Sequence, residues 1–209
     1  MKRGVFMDLW ELERGCFERG YKIVCGADEA GAGPLAGPVY AAAVILPPGL
    51  TLHKLNDSKK LTPKTRDRLF DEIRENAVAW SVESVDEKTI DEINILNARL
   101  LAMEKAIGAL ACIPEFALID GNRNGGITVP NRTVIKGDAL SASIAAASIL
   151  AKVSRDRYME EMAAFYPQYE FERHKGYPTP RHYELLEQYG PCPIHRMSFL
   201  KKFYGRVRT

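Results

Sequence analysis

Apolar residues fall into short compact runs separated by longer amphipathic stretches, and the two kinds alternate along the chain. Ile23, Val24 and Cys25 form a brief buried-strand pattern that ends at Asp28 and Glu29. VYAAAVILP (39–47), AWSVESV (79–85) and FALID (116–120) are further strand-like runs, and ITVPNRTVIKGD (127–138) is an extended piece that again ends in an aspartate. Between them, apolar positions recur at helical spacing. Leu9, Trp10, Leu12 and Phe17 form one stripe over 7–20, and Ile90, Ile93, Leu96, Leu100, Met103 and Ile107 another over 87–110. The segment 61–77 opens with Thr62 as an N-cap and Pro63 at the first helical position. Residues 142–163 read as a long helix, rich in Ala, Ile and Leu early and charged later, and 182–190 as a short helix closed by Gly190. Strands alternating with helices predict an α/β sheet covered by helices on its faces.

Glycine and proline gather at 31–38 and 121–126, and 165–181 is turn-rich. None of these stretches reads as a linker, and neither repeats nor low-complexity segments break the pattern. A chain of 209 residues suits one domain with a proper core and is short for two. The expected organisation is therefore a single domain over 1–209.

Composition narrows the class more than the chemistry. Hydrophobic residues make up 46% and charged residues 27%, as in an ordinary globular protein, and a formal net charge of +2 permits nucleic-acid binding without arguing for it. The four cysteines, Cys16, Cys25, Cys112 and Cys192, form no Cys-x-x-Cys pair and are expected to be reduced thiols. Cys192 and His195 have ligand-like spacing but no second pair to complete a tetrahedral site. No apolar run approaches the roughly 20 residues of a membrane span, and Asp8, Glu11 and Glu13 interrupt the start, which lacks the apolar stretch of a secretion signal. A cytoplasmic, monomeric protein without a membrane partner is the expectation.

Candidate chemistry lies where apolar segments end in acid: Asp28 and Glu29, Asp120, and Asp138. In an α/β sheet, functional groups collect at strand ends. Carboxylates meeting at one edge repel one another unless divalent cations neutralise them, and an all-oxygen donor set suits Mg²⁺ or Mn²⁺. Asp28 and Glu29 are adjacent, so a regular strand would point them to opposite faces. A shared site therefore predicts that the strand stops at these acids. Taken singly, each acid is more often an ordinary turn or cap residue, and spacing alone does not raise it above that.

Longer motifs carry a more specific signal. GADEAGAGPLAGPVYAAAVILP (26–47), KGDALSASIAAASILAKVSRDR (136–157) and HKGYPTPRHYELLEQYGPCPIHRMSF (174–199) resemble those of the ribonuclease HII family. LNDSKKLTPKTRDRL (55–69) and the pair Asp120–Gly121 fall in the family order between them, so the resemblance runs from about residue 10 to 200. It implies an α/β, ribonuclease H-like fold, a mixed five-stranded sheet flanked by helices, with a small helical C-terminal extension at about 170–209. It further implies an endoribonuclease acting on RNA–DNA hybrids and on DNA duplexes with embedded ribonucleotides. The cut would fall 5′ to the ribonucleotide, leaving a 3′-hydroxyl and a 5′-phosphate. The family's catalytic and metal-binding carboxylates map onto Asp28, Glu29, Asp120 and Asp138, holding two Mg²⁺ or Mn²⁺ ions about 3.5–4 Å apart.

Substrate contacts are implied at Gly31, Ala32, Gly33, Lys59, Tyr177 and Ser141. The glycine segment would read the 2′-hydroxyl through its backbone, and Tyr177 would stack on the neighbouring sugar. Lys59 would meet a phosphate. Ser141 stands at a helix start, a position that favours phosphate, although capping is the simpler reading. Two departures stand out. Ala32 occupies the position where the family usually has Arg, which predicts weaker substrate binding or activity, and Pro178 follows Tyr177 where Gly is frequent. A catalytically weakened hybrid-binding protein of the same fold is the alternative. His174, His182 and His195 are expected to bond structurally. In the tail, Met197 and the aromatics Phe199, Phe203 and Tyr204 are expected to pack on the domain; the glutamine of a sliding-clamp peptide is missing.

Overall fold

A computed structural model describes residues 8–207, without the side chains of Lys202, Arg206 and Val207. The predicted helix start at Met7 and the basic Arg208 of the tail lie outside the described residues. The compact apolar runs became strands: β1 (Val24–Ala30), β2 (Val39–Ile45), β3 (Ala79–Val85), β4 (Phe116–Asp120) and β5 (Asn131–Val134). They form one mixed sheet in the order β3-β2-β1-β4-β5. β1 runs antiparallel to β2 and β2 to β3, whereas β4 is parallel to β1 and β5 to β4.

Both faces are covered. The amphipathic stretches are α1 (Glu11–Glu18), α2 (Pro63–Asn76), α3 (Glu87–Gly108), α4 (Ala142–Phe165), α5 (Phe171–His174), α6 (Pro180–Tyr189) and α7 (Met197–Val207). On one face, Ala27, Ala41, Ala43, Ala117 and Ile119 of the sheet pack against Ile90, Ala98, Met103 and Ile107 of α3. On the other, Ala42 and Val44 meet Leu69, Phe70 and Ile73 of α2 and Ala146, Ile149 and Leu150 of α4. Alanines at these sheet positions let the helix backbones lie close. The closest approach is at Gly26, where a β-carbon would come within 2.2 Å of the Ser143 carbonyl carbon. α5, α6 and α7 gather beside the end of α4 around Leu35, Met159, Tyr169, Phe171, Leu185, Leu186 and Leu200.

Several local expectations needed correction. β1 does not stop at its acids. The ladder to β2 continues through Asp28↔Ala42, Glu29↔Ala41 and Ala30↔Tyr40, because β2 offers partners that far. The stretch 127–138 is strand only over Asn131–Val134, where β4 runs beside it, and Asp138 sits on a 3-10 turn, Gly137–Ala139. α3 is broken at Asn94, with φ 64° and ψ 162°, and the Asn94 side chain caps the renewed helix by accepting from the Leu96 and Asn97 amides. This conformation lies outside the left-handed helical region, in a part of the map where almost only glycine is at ease, so the break is strained and the cap bonds offset part of its cost. Thr62 caps α2 as expected, accepting from the Thr65 amide.

Candidate active site

Parallel pairing sets β1 and β4 side by side with Ala27 opposite Ile119, so Asp28 and Asp120 follow next to each other on neighbouring strands. Asp138 arrives from the turn just after β5, and its neighbour Gly137 donates its amide to Asp120 Oδ1 at 2.6 Å. Since β1 continues, Asp28 and Glu29 do face opposite sides. Asp28 points to the α4 side, toward Ser148, and Glu29 to the α3 side, where Arg99 pairs with it at 3.1 Å. The four predicted acids thus gather toward the C-terminal ends of the parallel strands β1, β4 and β5. Among the described residues, however, no three carboxylate, imidazole or thiol groups converge tightly enough to ligate a single ion.

The electrostatics still bind these acids into one unit. Burial pushes the Asp28 carboxyl well above the usual carboxylate range, and repulsion from Glu29 and Asp120 adds to it. Burial also raises Glu29, with Arg99 offsetting part of the effect and Asp120 opposing that relief. Asp138 is raised by burial and by the nearby Asp57 and Asp120. Lys59 loses hydration there, yet Asp28, Asp138, Asp57 and Asp120 together hold its ammonium charged. Buried oxygen donors that repel one another suit a hard divalent cation, and the residues present fit that group.

Next to Glu29 lies a cavity of about 390 Å³ lined by Gly31, Ala32, Gly33, Ser58, Lys59, Ser148, Lys152 and Tyr177. The structure therefore gathers five of the six expected substrate residues at one place. Gly31 has φ +98°, and a β-carbon there would meet Arg155 Nε at 2.1 Å, so only glycine fits. Tyr177 is 37% exposed, its ring 5.6 Å from both the Lys152 ammonium and the Arg155 guanidinium. These cation–π contacts fix the ring on the cavity wall.

Ser141 is a correction. It is fully buried, caps α4 by accepting from the Ile144 amide, and donates to Glu13 Oε1 at 2.6 Å, so it faces no substrate. The helix start that suggested an anion site is already served by that internal carboxylate, which also accepts from the Ser143 amide at 2.9 Å. Arg99, which pairs with Glu29, and Asp57, which lies beside Asp138, were missed, as was the bond from Ser141 to Glu13. Each partner lies far away in sequence, and no local pattern marks it. Lys152 pairs with Asp156 along α4 at 2.7 Å and also lines the cavity. The three histidines form a buried bonded cluster, with His182 Nε2 3.0 Å from His195 Nε2 and His182 Nδ1 3.0 Å from the Tyr177 carbonyl oxygen.

Residues 25–202 match the sequence model of a family described as Ribonuclease HII. The chain belongs to the ribonuclease HII family. The ribonuclease HII of Caldicellulosiruptor saccharolyticus is 53% identical over 201 residues, covering 96% of this chain and 98% of that one. Among solved structures, the ribonuclease H2 of Pyrococcus horikoshii superposes with a TM-score of 0.74 at 29% identity, covering 90% of this chain and 100% of the other. The RNase HII of Archaeoglobus fulgidus, solved in complex with PCNA, gives 0.71 at 27% identity over 84% and 94%. These likenesses bear out the mixed five-stranded ribonuclease H-like fold. Ribonucleases HII are metal-dependent endonucleases that cut the RNA strand of RNA–DNA hybrids and leave 5′-phosphates, and this chain is such an enzyme.

Proposed function

We propose that the chain cuts 5′ to single ribonucleotides embedded in duplex DNA as well as within hybrids, with Asp28, Glu29, Asp120 and Asp138 as its catalytic carboxylates. The supporting observation is their gathering at the C-terminal ends of the parallel strands, beside the cavity of the glycine segment, Lys59 and Tyr177. These four residues would hold two Mg²⁺ or Mn²⁺ ions. When bound, such ions supply Lewis acidity to the attacking water and to the leaving 3′-oxygen. The chain's own groups do the rest. Lys59 offsets charge on the scissile phosphate, Tyr177 stacks on the sugar beside the ribonucleotide, and the backbone at Gly31, Ala32 and Gly33 meets the 2′-hydroxyl.

In this reading 1–209 is one catalytic unit, a cytoplasmic monomer, with about 170–209 serving as the extension that carries Tyr177. Its cellular work is removal of misincorporated ribonucleotides and RNA primers. The test is cleavage of a labelled DNA duplex carrying one ribonucleotide, with Mg²⁺, Mn²⁺ or EDTA, beside an all-DNA duplex. A metal-dependent cut 5′ to the ribonucleotide, absent from the control and lost in Asp138→Asn, is expected. Cutting of the all-DNA duplex, or full activity in Asp138→Asn, would overturn the reading. Ala32 removes a guanidinium from the cavity wall, so Ala32→Arg is expected to tighten substrate binding several-fold, and an unchanged KM would refute that role.

A further inference from the structure

Arg196 is fully buried, and its described bonds all run to main-chain carbonyls of one loop. Nη2 donates to the Gly31 carbonyl at 2.7 Å, Nη1 to Ala32 at 3.2 Å and Nε to Gly37 at 2.8 Å. Burying a guanidinium against neutral carbonyls is costly, so its retention there calls for a return beyond simple packing. The loop also receives Arg155, which donates to the Ala36 and Pro38 carbonyls and to that of Lys175, two residues before Tyr177.

The direction of those bonds has a consequence on the other side of the loop. All peptides described are trans, so the N–H across each peptide plane points opposite to its carbonyl. Drawing the Gly31 carbonyl inward sends the Ala32 N–H outward, and drawing the Ala32 carbonyl inward does the same for the Gly33 N–H. Among the described residues, neither amide donates to a main-chain carbonyl. Both belong to residues lining the cavity shared by Glu29, Lys59 and Tyr177.

We infer that Arg196 is a positioning residue for ribonucleotide recognition: from behind the loop it aims the Ala32 and Gly33 amides into the cavity as a pair of donors for the 2′-hydroxyl. The inference rests on the 2′-hydroxyl reading proposed above and extends it to a residue that never touches substrate. A guanidinium is needed because its flat fork spans three carbonyls at once, which an ammonium does not. Its charge also polarises the two peptides, strengthening their N–H ends as donors. The side chain at position 32 takes no part in this, so an alanine there leaves the donor pair in place.

The test compares Arg196→Lys and Arg196→Met with the parent, all in an Asp138→Asn background that keeps substrate intact. Anisotropy gives Kd for a duplex with one ribonucleotide and for the same duplex in all-DNA form, and melting curves confirm folding. The parent is expected to prefer the ribonucleotide. Arg196→Lys is expected to lower that preference about tenfold, the loss of one to two hydrogen bonds, while the all-DNA Kd stays within twofold. A well-folded Arg196→Lys with the parent's preference, or one whose two affinities weaken in parallel, would overturn the assignment. Arg196→Met is expected to lose the preference further; should it fail to fold, Arg196→Lys decides alone. A parent with no preference would instead sink the 2′-hydroxyl reading, and the assignment with it, before any variant is compared.

Discussion

Adding one methyl group at Gly26 is expected to damage this enzyme more than most core truncations. The new β-carbon would sit 2.2 Å from the Ser143 carbonyl carbon, 2.3 Å from the Ile144 nitrogen and 2.7 Å from the Ser143 oxygen. Carbon atoms prefer about 3.5–4.0 Å, so the overlap exceeds an ångström. The obstructing atoms are main chain in the first turn of α4, and no rotamer change relieves them. That turn is fixed by the Ser141 cap and by Ala142, Ala145, Ala146 and Ala147, all within 1% of full burial. α4 must therefore lift from β1. Overpacking typically costs about 1–3 kcal/mol, and a clash against backbone belongs at or above the top of that range. At roughly 2–4 °C per kcal/mol for a chain of this size, Gly26→Ala should melt about 6–12 °C below the parent.

The same displacement reaches the chemistry, because Asp28 lies two residues beyond Gly26 and Asp138 lies four before Ala142. A misplacement of about 1 Å can cost on the order of a hundredfold in rate, so activity per folded molecule should fall by about that factor. Gly15→Ala is the control, since that glycine lies inside α1 with no atom within 4 Å of the added carbon. It should gain about 0.5–1 kcal/mol from lower backbone freedom. Circular dichroism melts and initial cleavage rates, measured side by side, decide the matter. A Gly26→Ala protein that melts within 2 °C of the parent would refute the close-approach argument.

Three further outcomes follow from the electrostatics and capping. Asp28 has a raised proton affinity in the fold, so the metal-free protein should lose stability as pH rises from about 4 through that raised value. Asp28→Asn should abolish cleavage yet raise the melting temperature in EDTA at pH 7 and flatten this decline; a lower melting temperature would contradict it. Ser141→Ala should cost about 1–2 kcal/mol through the lost cap and leave KM unchanged, whereas a raised KM would restore Ser141 as a substrate contact. Burial lowers His182 and His195 from 6.5 to about 4, so the unfolded chain takes up protons first and stability should fall as pH drops between those values. His182→Asn, which keeps an N–H toward the Tyr177 carbonyl, should show a shallower acid decline in urea titrations at pH 7.5, 6 and 5; an equal slope would exclude these histidines as its cause.

What the linear sequence determined was whatever depends on neighbours. Compact apolar runs located β2, β3 and β4, and an Ala-, Ile- and Leu-rich stretch located α4, nearly to the residue, because burial leaves its mark in local composition. Thr62–Pro63 marked the start of α2 through chemistry confined to one turn. The ordered motifs from Gly26 to Phe199 point to the acids, the glycine segment and Tyr177 without any three-dimensional information. Tertiary structure decided everything that depends on partners distant in the chain. β1 runs past Asp28 because β2 pairs with it there, and Asp138 sits on a turn because β5 stops at Val134. Ser141 turned inward because Glu13, 128 residues earlier, reaches it. Arg196 stands 165 residues after the Gly31 carbonyl it holds. No local periodicity encodes such contacts, since a buried polar group chooses its partner by proximity in space and by the cost of remaining unpaired.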